Sequence, residues 1–236
     1  MGRNPDRDRI QMERTRTRLI EAGQEAILKT GLDRVKVRDI VGRAGLGVGT
    51  FYFHFGSLEQ FLQEAIQGWI EEVRGRVRRI RGLRDGSVSE APEGRIRDAF
   101  EAFFETIDEH LSLALILLRE RSGGGRFGQL VRDEFRLFIN DLAEDLEQVA
   151  GLGLVAPEVQ PRLASEAILG MTLQLAETYT EQALEEQKGR PAPPAIGGVR
   201  REQIIDTLTR ISLIGLLADD ASGRLGGADD GAAEEG

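Results

Sequence analysis

The sequence predicts an all-α chain, with a short amino-terminal unit of three helices followed by a larger bundle of longer ones. Apolar residues recur at intervals of three and four along most of the 236 residues, which is the period of one helix face. No segment alternates apolar and polar residues for long enough to make a strand. Clusters of Gly, Pro and Ser interrupt the periodic stretches at the places where turns are needed.

The first helix buries Leu19, Ala22, Ala26 and Ile27 after an arginine-rich lead from Arg3 to Arg18. Lys29 complements the dipole in its last turn, and Gly31 is placed to end it. Val37, Ile40, Val41 and Ala44 then fall at i, i+3, i+4 and i+7, on one face of a second, short helix. Gly45-Leu46-Gly47 breaks that helix, since glycine accepts the left-handed backbone that ends one. Val48 to Phe55 is the third helix, with Leu46, Phe51 and Phe55 available to bury against the second. Two short helices joined by a glycine-bearing turn make a helix-turn-helix.

Ser57 and Gln60 form the outline of a capping box opening a fourth helix that reaches to about Ile80. Its apolar face is Leu58, Phe61, Leu62, Ala65, Ile66, Trp69, Ile70 and Val73. Gly82 to Gly94 is a loop and the best domain boundary. Phe100, Phe103, Phe104, Ile107, Leu111, Leu115 and Leu118 make the next stripe, with a kink near His110, and Ser122 to Gly125 stops it. Further stripes run from Phe127 to Val149 and through Ile168, Met171, Thr172, Leu175 and Tyr179. The last helix, about Arg200 to Ala218, carries apolar residues on more than one face, which predicts burial inside the subunit on one side and against a second chain on the other.

The stretch Gly45-x-Gly47-x-Gly49-Thr50-Phe51-Tyr52-x-His54-Phe55 resembles the signature of the TetR family of transcriptional regulators. The resemblance covers about Arg14 to Phe61, and the rest of the chain is matched by helical pattern alone. It implies a three-helix helix-turn-helix DNA-binding domain over residues 10–70 and a helical ligand-binding and dimerisation domain over 71–218. Residues 219–236, composed of Gly and Ala with acids, are left as a disordered tail. The implied function is a homodimeric repressor on double-stranded DNA with a palindromic operator, released by a small hydrophobic effector that shifts the fourth helix.

With Leu46, Phe51 and Phe55 buried, Val48, Thr50, Tyr52, Phe53 and His54 are left toward DNA. Val48 and Phe53 suit thymine methyl groups, and packing is the competing reading for Phe53. Lys36 and Arg38 are candidates for phosphate, although Lys36 stands where the family usually has a capping hydroxyl. Gly47 likewise replaces the family's Ser or Thr, a tolerable cap that leaves the turn's N–H groups open. Leu58 replaces a common lysine, which puts one usual phosphate contact in doubt. The arginine-rich lead is either an arm along the backbone or a solvated helix start, and the run Arg74 to Arg81 is better read as a helix end paired with the acidic body.

For an effector, Phe103, Ile107, Phe138 and Met171 offer apolar surface and His110 and Tyr179 polar anchors, and each is equally at home in an ordinary core. Two other readings stay open: a dimeric regulator that binds DNA without any ligand, and a carrier of apolar ligands. The carrier leaves the glycine motif unexplained. It also ignores the charge split, because residues 1–56 hold eleven Lys/Arg against seven Asp/Glu while the remainder holds twenty against thirty-three.

Composition closes off several chemistries. The chain has no cysteine and two histidines, so thiol chemistry and thiolate metal sites are excluded and no metal site is expected. Neither a serine elbow nor a phosphate-binding lysine loop occurs, so no catalysis and no cofactor are expected. The longest apolar run, Leu113 to Leu118, is far short of the ~20 residues that cross a bilayer, and the charged start lacks a secretory segment. The expected location is the cytoplasm, away from membrane.

Overall fold

The computed structural model describes residues 5–81, 92–123, 127–190 and 198–216. Among them lie nine helices: α1 (Pro5–Thr30), α2 (Val37–Ala44), α3 (Val48–His54), α4 (Leu58–Arg81), α5 (Pro92–Glu109), α6 (Leu111–Ser122), α7 (Gly128–Gly151), α8 (Pro161–Gln187) and α9 (Arg201–Leu216). None is long and apolar enough to cross a membrane. The segment 219–236 and most of the 82–94 loop lie outside the described residues. The chain divides into two compact units, one holding the residues up to Glu72 with Asp108–Glu134, the other Val73–Ile107 with the residues from Phe135 on.

In the first unit α1 packs against both α2 and α6, which is why the 108–134 segment groups with it. Leu19, Ala22, Ala26 and Ile27 are buried as the periodicity predicts. Gly31 closes α1 with φ 82, its N–H donating to the Ile27 carbonyl at 2.7 Å. Ile40, Val41 and Ala44 form the buried face of α2. Phe51, Phe55 and Phe61 stack into one cluster with ring centroids 4.9 to 5.5 Å apart, each at most 1% exposed. Gly23, in the middle of α1, makes room for it: a Cβ there would stand 2.2 Å from the Phe61 Cζ.

Ser57 caps α4, its Oγ accepting from the Gln60 N–H at 3.1 Å, but the Gln60 side chain reaches one residue further back than a capping box requires and accepts from Gly56. The α5 stripe does not continue in phase. His110 breaks the helix with φ −138 and ψ 38, and beyond it the buried positions are Leu113, Ala114, Leu117 and Leu118, whereas Leu111 and Leu115 are half-buried. A backbone break resets the helical phase, so a stripe drawn through it selects the wrong side.

The second unit packs Ala99, Phe100, Phe103 and Phe104 of α5 with Phe135 and Phe138 of α7. Phe103 meets Phe104 and Phe138 edge-on. Arg74 pairs with Asp141 at 2.6 Å, so at least this member of the arginine run serves the acidic body. In α8 the buried side is Ser165, Leu169, Thr172, Leu173, Ala176 and Thr180, and α8 packs on α9. Ile204, Ile205, Leu208 and Leu216 of α9 are buried, while Ile211 is 47% and Ile214 84% exposed.

Candidate nucleic-acid interface

The turn between α2 and α3 is built by its backbone. Gly45 takes the left-handed conformation, φ 61 and ψ 38, and the N–H groups of Gly45 and Leu46 both donate to the Val41 carbonyl, capping α2. A side chain at 45 would meet that strained φ and stand 3.1 Å from the Arg18 guanidinium. Leu46 is half-buried rather than fully packed. Gly47 then precedes α3 without a side-chain cap, its carbonyl accepting from Thr50 and Phe51.

This geometry divides α3 sharply. Phe51 inside it and Phe55 just after it are anchored in the aromatic cluster. Outside, Val48 is 43%, Tyr52 54% and Phe53 70% exposed, with Thr50 and His54 half-buried and Gly47 exposed. Phe53 stands edge-on to His54 at 5.3 Å and takes no part in the cluster. Three large apolar or aromatic side chains left in solvent on a helix of seven residues is a costly surface for a protein that uses it for nothing.

Lys36 and Arg38, at the start of α2, are exposed and without an ion pair among the described residues. Lys36 occupies the cap position but makes no side-chain cap; Asp39 supplies one instead, accepting from the Lys36 N–H at 3.0 Å. The ammonium is therefore held beside a helix start that disfavours it, with its charge turned to solvent.

Arg16, which periodicity reading leaves in the solvated lead, is a structural clamp. Its guanidinium lies 4.4 Å above the Phe55 ring, donates to the His54 carbonyl at 3.2 Å, and pairs with Glu64. It thus fixes the end of α3 to α1 and α4. Its place three residues before Leu19, on the buried side of α1, was the available signal.

The second unit holds a cavity of about 160 Å³. Its wall is almost wholly apolar, including Val77, Phe100, Phe103, Phe138, Leu146, Ile168 and Leu169, with Arg95, Asp145, Thr172 and Ser212 as the polar contributors. Phe103 and Phe138 are on that wall; the other predicted ligand residues are not. Ile107 is packed into the core at 1% exposure, Tyr179 stands against Phe104, and Met171 is on a half-buried flank of α8. His110 belongs to the first unit, beside Trp69. There Glu72, Glu109 and His110 bring one ligand atom each within 4.8 Å of the others, on a largely exposed surface.

Residues 19–65 match the family described as bacterial regulatory proteins, tetR family. The chain is 28% identical to YdgC, an uncharacterized HTH-type transcriptional regulator of Bacillus subtilis (strain 168), over 70% of this chain and 80% of that one. With the HTH-type transcriptional repressor KstR2 of Mycobacterium tuberculosis it shares 32% identity over 47% of its own length, about half (53%) of the repressor's. In structure it resembles the transcriptional regulator FadR from Bacillus subtilis, solved in complex with stearoyl-CoA, with a TM-score of 0.66 at 18% identity over 84% of this chain and 98% of that one.

Proposed function

Since the chain belongs to the TetR family of bacterial transcriptional regulators, we propose that it is a cytoplasmic repressor that binds a palindromic operator as a homodimer and is released by a small, largely apolar effector. The observation that carries this is the outward face of α3, where Val48, Tyr52 and Phe53 stand in solvent above a rigid aromatic base. In this reading α3 enters the major groove, Phe53 and Val48 touch thymine methyl groups, and Thr50, Tyr52 and His54 bond phosphates or base edges. Lys36 and Arg38 hold the backbone beside it, and Gly47 lets the chain approach closely. A two-fold dimer places two such helices ~34–36 Å apart, or a multiple of that.

Two features of the second unit support the remainder. Ile211 and Ile214 form an apolar exposed side of α9, suited to burial against a second copy. The apolar cavity suits an effector, and α4 supplies both Phe61 to the aromatic base and Val77 to the cavity wall. A ligand that displaces Val77 acts on the helix that supports α3. The stearoyl-CoA in the FadR structure belongs to that protein, and it makes a ligand-responsive reading natural here.

The test begins with selection of bound duplexes from a randomised pool, followed by titration across salt concentrations. Failure to retain any duplex would overturn the regulator. For the selected duplex, Lys36→Ala is expected to weaken binding to all sequences alike and to flatten the log–log salt slope by about one unit. An unchanged slope rejects Lys36 as a phosphate contact.

A further inference from the structure

Six hydroxyl-bearing side chains among the described residues are buried: Thr106, Ser165, Thr172, Thr180, Thr209 and Ser212. Four of them donate to the carbonyl four residues back, at 2.6 to 2.8 Å. This is the ordinary way to keep a helical hydroxyl satisfied away from water. Thr209 and Ser212 do otherwise. They lie three residues apart on the buried face of α9, and the Oγ of neither has a hydrogen-bond partner. Ser212 is 3% exposed and lines the cavity with its Oγ shielded, so a bound molecule reaches that oxygen after a turn about χ1.

An unpartnered hydroxyl in an apolar wall is destabilising, and a bound molecule that supplies the missing bond relieves that cost. We infer that Ser212 is the hydrogen-bonding point of the effector site, and that its ligand is a neutral, monocyclic-sized molecule with an apolar body and one hydroxyl or carbonyl oxygen. This rests on reading the cavity as the effector site.

Size and charge narrow the class. The cavity, about 160 Å³, is on the scale of the ~150 Å³ apolar cavity that accepts benzene. Its wall carries one guanidinium and one carboxyl group, Arg95 and Asp145, the Oδ2 of Asp145 being buried without a hydrogen-bond partner like the Ser212 Oγ. The two opposite charges leave no net charge for an ion to pair with, so a charged ligand loses its hydration for little return, whereas a neutral hydroxyl can donate to either oxygen. A plain hydrocarbon fills the space and leaves Ser212 unsatisfied. Sites that hold a buried hydrogen-bonding group discriminate against ligands that cannot answer it. Thr172, also on the wall, has spent its proton on the Ile168 carbonyl and offers only an acceptor, whereas Ser212 offers both donor and acceptor.

Calorimetric titration of the full chain with phenol, toluene and benzoate tests this, because phenol and toluene differ by hydroxyl against methyl. In the wild-type protein phenol and toluene both bind and benzoate is weaker than phenol. In Ser212→Ala toluene binding is retained, which reports an intact cavity, and the phenol-to-toluene affinity ratio falls roughly three- to tenfold. An unchanged ratio with both ligands still bound overturns the role of Ser212 and leaves the cavity as an effector site. Tighter binding of benzoate than phenol overturns the neutral class. Binding of none of the three overturns this inference and the effector site together.

Discussion

The two units place their candidate surfaces on opposite sides of the same physical rule. In the first, the aromatic cluster of Phe51, Phe55 and Phe61 is closed, and what it leaves over, Val48, Tyr52 and Phe53, faces solvent. In the second, the candidate residues face inward, and Phe103 and Phe138 are at once cavity wall and core. In the proposed function, recognition and stability are therefore assigned to different side chains of α3 and to the same side chains of α5 and α7. Substitutions should separate the two properties in the first unit and entangle them in the second.

Phe138→Ala probes the entangled side with the largest expected effect. Phe138 is 4% exposed and packs on Phe103 and Phe135. Truncating a buried phenylalanine costs ~3–5 kcal/mol, and a value near 3 kcal/mol is expected here because one side of the ring already borders the cavity. Urea unfolding should show this as a lower midpoint, and the affinity for toluene should change with it. A loss under about 1 kcal/mol would break the contrast, since it would mean that the wall is not part of the core.

Within the first unit, Gly23→Ala tests how tightly the base of α3 is closed. Alanine is favoured over glycine by ~1 kcal/mol in a helix interior, so a helix with free space beside it gains stability. Here the new Cβ stands 2.2 Å from the Cζ of Phe61, a ring held between Phe51 and Phe55 and itself 0% exposed. Overpacking of this kind costs ~1–3 kcal/mol, so a net loss is expected, with partial recovery in Gly23→Ala/Phe61→Leu. A gain in thermal midpoint for the single variant would show that the cluster is loose.

What could be read from the sequence follows the same division. The helix-turn-helix announces itself because Ile40, Val41 and Ala44 keep strict phase and Gly45 marks the turn. All-helical architecture is legible for the same reason, as is the length of α4. Gly23 is not legible, because in a sequence it looks only like a weak helix position; its reason is a ring thirty-eight residues away in the chain. Arg16 hides among other arginines of the lead. In the second unit a cavity wall and a core demand the same residue types, so Phe103 and Phe138 could not be told from Ile107 by chemistry. His110 adds a phase break that a continuous stripe cannot show, and the difference between Thr172 and Ser212 lies in a hydrogen bond that one hydroxyl makes and the other does not.

The smallest expected effect on stability is the sharpest test of the contrast. Phe53 is 70% exposed, its one ring contact among the described residues is with His54, and it contributes nothing to the cluster beneath it. Its truncation removes surface that water already covers, so Phe53→Ala should leave the unfolding midpoint within the ±0.5 kcal/mol typical of surface changes. Against a pool of duplexes the same variant should lose preference at the base pair that Phe53 faces, by ~1–3 kcal/mol if the contact is to a thymine methyl, while the salt slope stays as it was, because no phosphate charge is touched. Unchanged preference would remove Phe53 from the reading surface. Lost stability would place it in the core and dissolve the separation between what α3 buries and what it presents.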